Sequence, residues 1–147
     1  MYRLLALSPI LLLLPAAGPS LPIQPGMWQS IVTITDMHMA NAPPGVGQAV
    51  RAHPTTVSAC VTAAQAADGP RAVLQGSHGK CRYTSFNASG GRFSAVMQCA
   101  FTQSTMTVTS NGTYSATSMD VLGSSSATGR MQMTTKTHTV ARRVGNC

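Results

Sequence analysis

Cys60, Cys81, Cys99 and Cys147 are the most reactive side chains of this sequence, and their spacing decides which chemistry is open to them. No two stand in the Cys-x-x-Cys pattern that activates a thiol or presents a pair of zinc ligands. Disulfide bonding is left as their role, and four cysteines allow three pairings. A second constellation is Met37-His38-Met39, with Met131, Met133 and His138 farther along the chain. Thioether and imidazole groups suit Cu(I), so Met37, His38 and Met39 are weak candidates for a metal. The competing reading is that methionines at alternate positions fill the buried face of a strand.

Acid–base chemistry has little material to work with. The carboxylate side chains are Asp36, Asp68 and Asp120, far apart in sequence, and there is no glutamate. A carboxylate pair of the kind that cleaves glycosides is therefore not legible. His38, His53, His78 and His138 are scattered, and no serine sits in a Gly-x-Ser-x-Gly elbow. Gly90-Gly91 reads as a hairpin turn and leads into no helix, so it is not a phosphate loop. The sequence assigns no catalytic residue and calls for no cofactor, which points away from an enzyme.

The elements that must position these residues follow a leader. Met1-Tyr2-Arg3 supplies one charge, residues 4–14 are almost wholly apolar, and Pro15-Ala16-Ala17-Gly18 closes the run. That order is the order of a secretory signal peptide. A bilayer span takes about 20 apolar residues, and this run is shorter and contains Pro9. Residues 1–20 are thus expected to be a cleaved signal, leaving no stable membrane anchor, with residues 21–147 as a single β-rich domain. The expected location is periplasmic or secreted, where disulfides persist. The remaining chain is basic, with nine cations from Arg51 to Arg143 against three aspartates. Apart from Arg142-Arg143 the cations stand singly and aromatic residues are few, a poor match to nucleic acid. A solvated basic surface is the simpler reading.

Thr, Ser, Val and Met in alternating runs, broken by Gly, Asn and Pro, are strand composition. Trp28, Val32 and Ile34 share one face of a first strand, entered from Pro25-Gly26. Residues 36–47 read as a loop. A second strand is expected over 48–60, with Pro54 restricting it to an edge or a bulge. Thr62 caps a short helical turn over Ala63 to Ala67. Strands are then expected on both sides of Gly90-Gly91, over 104–110 and 113–122 around an Asn111-Gly112 turn, and over 130–144, with 123–129 as a flexible connector. The expected fold is all-β: an antiparallel meander closing into a small barrel or a strongly curved sheet, with one short helical turn and two disulfides. A two-sheet sandwich is the second choice.

The hairpin register selects the cysteine pairing. Placing Cys81 opposite Cys99 sets Tyr83 opposite Met97, Ser85 opposite Ala95 and Asn87 opposite Phe93, with Gly90-Gly91 midway. The side-chain period of two then gathers Cys81, Tyr83, Phe93, Met97 and Cys99 on one face. Opposed Cα atoms in antiparallel strands lie about 4.5–5.5 Å apart, within disulfide range. Cys81–Cys99 leaves Cys60–Cys147.

Pro25-Gly26-Met27-Trp28, Cys60-Val61-Thr62 before an alanine-rich turn, Gly79-Lys80-Cys81 opening a hairpin that ends at Cys99, and the terminal Arg142-Arg143-Val144-Gly145-Asn146-Cys147 stand in an order and spacing that resembles the "domain of unknown function 3617" family. Its members are small, exported and mostly proteobacterial. The resemblance implies a periplasmic or secreted β-rich domain with paired cysteines and no assigned activity. One departure is that Ala63-Ala64-Gln65-Ala66-Ala67 stands where such proteins often carry acids.

The function expected from the sequence is a non-enzymatic ligand- or partner-binding domain of the cell envelope, holding an apolar or envelope-derived molecule against Trp28, Tyr83, Phe93 and Met97. The alternative is a structural or envelope-stress accessory protein with no small-molecule site. Cu(I) binding through Met and His is a distant third.

Overall fold

The computed structural model describes residues 22–43, 45–51, 53–74, 80–130 and 132–147. The expected signal peptide, His78 and Met131 lie outside the described residues. In chain order the elements are β1 (Gly26–Met39), α1 (Val46–Arg51), β2 (Thr55–Val61), α2 (Ala63–Ala66), α3 (Arg71–Leu74), β3 (Cys81–Ser89), β4 (Arg92–Phe101), β5 (Ser104–Tyr114), β6 (Ser118–Gly129) and β7 (Met133–Gly145). The seven strands form one sheet in the order β2-β1-β7-β6-β5-β4-β3. All neighbouring pairs are antiparallel. The fold is the expected all-β meander from β3 to β7, with β1 joined to β7. It is not closed into a barrel, because β2 and β3 are separate edges.

One face of this sheet is covered. Trp28, Val61, Phe93, Ala95, Tyr114, Met119, Val121 and Ala141 form a buried cluster with Ile23 and with Ala66 of α2, and Ala72, Val73 and Leu74 of α3 pack against it. Both short helices belong to the connection from β2 at one edge to β3 at the other. Their packing lays residues 63–74 on the sheet and dries the apolar side chains beneath them. Trp28 is only 1 % exposed, and its indole N–H donates to the Gln24 carbonyl at 3.0 Å, which satisfies the polar end of a buried ring. Thr62 caps α2 as anticipated. Its hydroxyl accepts from the Gln65 N–H while the Gln65 side chain accepts from the Thr62 N–H, a complete capping box.

The opposite face is open and mainly polar, with Ile31 and Leu122 exposed on it. Cross-strand partners share a face, so the register can be followed from strand to strand. One row runs Arg82, Gln98, Thr107, Ser126, Thr134, His38. Another runs Arg92, Thr113, Asp120, Val140, Ile31.

The β3–β4 hairpin has the anticipated start, with Cys81 opposite Cys99 and Tyr83 opposite Met97. Gly90 and Gly91 turn it with φ of 57° and 75°, the left-handed pair that a type I′ turn demands. A register shift between Tyr83 and Ser85 then moves the partners by one, so Ser85 faces Val96 and Asn87 faces Ser94, not Ala95 and Phe93. The shift brings Phe86 onto the covered face, with its ring centroid 5.4 Å from that of Tyr83.

Four expectations are corrected. Residues 36–39, expected in a loop, belong to β1 because β7 supplies a ladder for them as far as Met39. Residues 48–51 belong to α1, and β2 begins only after Pro54, which cannot donate to a ladder; β2 is an edge strand. Residues 123–129 are strand, because β5 and β7 flank them on both sides and supply the ladder that their glycine and serine content alone would not favour. Asn111-Gly112 is no turn but part of β5. A Cβ on Gly112 would collide with the Asp120 carbonyl oxygen and lie 2.9 Å from the Phe93 ring, so this glycine serves close approach. The real turn follows Tyr114, where the Ser115 hydroxyl accepts from the N–H groups of Thr117 and Ser118 at 3.3 and 3.1 Å.

Candidate functional site

Both disulfides are present. Cys81–Cys99 joins directly opposed strand residues with Cα atoms 3.9 Å apart. Cys60–Cys147 spans 5.7 Å between Cα atoms and ties β2 to the chain end beyond β7. No cysteine is left free. The sulfur chemistry of the chain is thus spent on cross-links.

Three of the four runs that carry the family resemblance meet at one corner of the sheet, while Cys81 and Cys99 lie on β3 and β4 toward the opposite edge. The Arg143 guanidinium donates to the Pro25 carbonyl and to the Asn146 side-chain oxygen, both at 2.7 Å. Gly26, at φ 138°, leaves no space for a side chain because the Gly145 carbonyl and the Arg143 side chain occupy it. Met27 pairs with Cys60 on one side and Gly145 on the other. The Pro-Gly-Met-Trp opening, Cys60 and the terminal Arg-Val-Gly-Asn-Cys run are therefore parts of one structural clasp that fastens the start of the domain to its end.

The four candidate ligand-facing residues sit in packing. Trp28 and Phe93 belong to the buried cluster, with Phe93 5 % exposed. Tyr83 and Met97 are half-buried on the same covered face. Phe93 stacks with Phe86 at 6.4 Å and meets the Tyr114 ring edge at 6.3 Å between centroids. Arg71 of α3 places its guanidinium 4.8 Å from the Tyr83 ring centre and 5.3 Å from that of Phe86, so the helix is held on the sheet by cation–π contact as well as by apolar packing. Burial pushes the Tyr83 phenol above its ordinary pKa, with the Arg71 charge opposing the shift. None of the four lines any of the five clefts described below.

The methionine–histidine trio is divided. Strand alternation turns Met37 and Met39 toward the covered face, paired with Thr135 and Met133, while His38 pairs with Thr134 on the open face. His138 stands four residues from Thr134 on β7 and lies 3.0 Å from Asp120 through Nε2. Thioether and imidazole therefore do not converge as the sequence allowed. Among the described residues no group of three or more His, Cys, Asp or Glu side chains is placed to hold a metal ion. Nor is any described helix long and apolar enough to cross a membrane.

Among the described residues five clefts lie along the open face, and their linings mix hydroxyl, amide and cationic side chains with apolar ones such as Met106, Met133 and Leu122. The most voluminous, about 550 Å³, is bordered by Lys80, Arg82, Gln98, Ala100, Thr105 and Thr107. The next, about 460 Å³, is bordered by His38, Ser126, Thr128, Gln132 and Thr134. Sequence reasoning missed this surface because each side chain looks ordinary alone. The available signal was alternation: Thr105, Thr107 and Thr109 on β5, and Ser124, Ser126 and Thr128 on β6, put hydroxyls at every second position.

Comparison with curated proteins and with solved structures gives no match. The model of the family described as "Protein of unknown function (DUF3617)" matches residues 23–147, from the buried Ile23 through the clasp to the last cysteine. The chain belongs to the DUF3617 family.

Proposed function

We propose that this is an exported, non-enzymatic binding domain of the cell envelope that takes its ligand or partner on the open face of the sheet. The observation that carries this reading is the division of the two faces. The covered face is filled by aromatic and aliphatic packing, whereas all five clefts lie on the side where hydroxyls, amides and cations alternate outward. An apolar molecule held among Trp28, Tyr83, Phe93 and Met97 would have to displace α2 and α3. A polar, envelope-derived molecule on the open face displaces only water. Two disulfides support a compartment that is oxidising.

The structural accessory reading is kept for one reason, namely that a filled core and a clasped sheet need no ligand to be stable. Native mass spectrometry of protein purified from the envelope fraction of its own host separates the two. A reproducible adduct of fixed mass is the expected result. A bare polypeptide mass across independent preparations would leave the accessory reading standing.

A further inference from the structure

We infer that the trough on the open face, led by Lys80 and Arg82, is a site for an acidic saccharide. This rests on the binding reading above and names the ligand class for it. The argument begins with charge. The open face carries two carboxylates, Asp36 and Asp120, and each is met by a cation. Asp36 pairs in register with Lys136 and shares a cleft with it. Asp120 shares a cleft with Arg142 and lies 3.0 Å from the His138 ring. Lys80 and Arg82 share the most voluminous cleft with no carboxylate at all. Two exposed cations without a compensating acid, in a concavity, attract an anion by Coulomb's law and release ordered water when it binds.

The shape of the trough narrows the class. Ala100 pairs with Thr105 on β5, and its N–H donates to the carbonyl of Lys80, just before β3. A single methyl group between Lys80 and Thr105 leaves the floor low there. The second cleft lies across the β5–β6 seam, where Thr107 pairs with Ser126 and Thr105 with Thr128, and the cleft of Asp36 and Lys136 links the two, sharing Thr107 with the first and Ser126 and Thr134 with the second. The two threonine hydroxyls of that seam stand 3.0 Å apart and still have bonding capacity to offer. From β3 to β1 the trough crosses six strands, which at about 4.8 Å per neighbour is about 24 Å. Cations at one end, followed by rows of hydroxyl and amide groups, match a chain of hydroxylated rings bearing carboxylate or phosphate. Met106 and Met133 also border these clefts, but an acyl chain lying there would leave the cations and hydroxyls without partners.

The test uses the full mature domain with a defined acidic saccharide, hexagalacturonate. Inorganic phosphate serves as the free-anion arm and maltohexaose as the neutral arm. Calorimetry and backbone NMR shifts are read on wild type, on a Lys80→Gln/Arg82→Gln variant, and on an Arg92→Gln/Arg142→Gln variant that loses equal charge outside the trough. All have their melting checked. A charge-assisted contact is worth enough that losing two weakens binding by about tenfold or more. The expected result is that loss in the first variant, about twofold or less in the second, no binding of maltohexaose, and shifts at Thr105, Thr107, Ser126 and Thr128. Equal losses in both variants would reduce the effect to net charge and overturn the site. Phosphate binding as tight as the saccharide would overturn the saccharide class. If no saccharide binds although the native protein carries an adduct, this inference fails and the binding reading survives. Absence of both sinks the two together.

Discussion

Removing the two disulfides separately tests whether this sheet is held by its covalent topology. The Cys60–Cys147 bridge closes a sequence separation of 87 residues and Cys81–Cys99 one of 18. In the chain-entropy model, loops of these lengths contribute about 4.6 and about 3.2 kcal/mol at 25 °C, a difference of about 1.4 kcal/mol. Packing works the other way. Cys99 is 2 % exposed, whereas Cys60 and Cys147 are at the surface. Truncating the buried sulfur adds a cost comparable to a small core deletion, about 0.5–1.5 kcal/mol. The Cys60→Ala/Cys147→Ala pair should thus cost at least as much as the Cys81→Ala/Cys99→Ala pair, with both melting far below wild type. At about 4 °C per kcal/mol for a domain of this size the entropic parts alone correspond to about 18 and about 13 °C. Thermal and guanidinium unfolding followed by circular dichroism measure both. A hairpin pair that costs some 2 kcal/mol more than the terminal pair, beyond the packing allowance, would refute the loop-length reasoning. It would mean that the hairpin is held by local packing and that the clasp of Arg143, Pro25 and Asn146 keeps the chain end in place without sulfur.

Gly112→Ala should destabilise by several kcal/mol or abolish folding, since the new methyl meets the Asp120 carbonyl and the Phe93 ring. Asn111→Ala, exposed on the same strand, should change stability by less than about 0.5 kcal/mol, and comparable losses in both would restore the turn reading of that dipeptide. Thr62→Ala removes the hydroxyl half of the capping box and should cost about 1 kcal/mol in chemical unfolding, with no change in the disulfides by mass spectrometry. Because burial raises the folded pKa of Tyr83, folding favours its neutral phenol. Its contribution is complete below the ordinary tyrosine value of about 10 and is lost as pH climbs through the raised folded value. Stability measured across alkaline pH should fall for wild type and fall less for Tyr83→Phe. Equal declines would show that the phenol does not matter to the alkaline transition.

Much of the fold was legible where two signals coincided. Cysteine spacing and alternation agreed over residues 81–99, and the Gly90-Gly91 turn lay midway, so the hairpin and its bridge were determined. Thr62 followed by alanines specified its cap. The misreadings share a cause, which is that local composition was outweighed by neighbours absent from the local sequence. Asn111-Gly112 has turn chemistry, yet Gly112 is needed where β5 passes under the Phe93 ring. Gly123 likewise makes room for the Thr137 hydroxyl, 2.6 Å from where a Cβ would sit. The extra residue between Tyr83 and Ser85 left no mark in the pattern, so Phe86 was missed and later partners were displaced by one. The cover over the candidate ligand-facing residues was hidden for a related reason. Aromatic residues attract notice in a sequence, but the pattern that places them on one strand face does not say that two small helices will cover that face.

The pairing of β1 with β7 makes the first strand wait for the last. β1 gains β2 from nearby sequence, but its longer ladder, twelve register pairs, is with residues 94 to 118 positions away. Closing the 87-residue separation is harder than closing the 18-residue one by about 1.4 kcal/mol, or about tenfold in closure probability. The β3–β4 hairpin is therefore the natural seed, with strands added from it toward β7 and the clasp sealed at the end. Cys60 meanwhile spends that interval closer in sequence to Cys81 than to Cys147. An oxidant acting before the hairpin forms would join the wrong pair, so the local strength of that hairpin is also what protects the distant bridge.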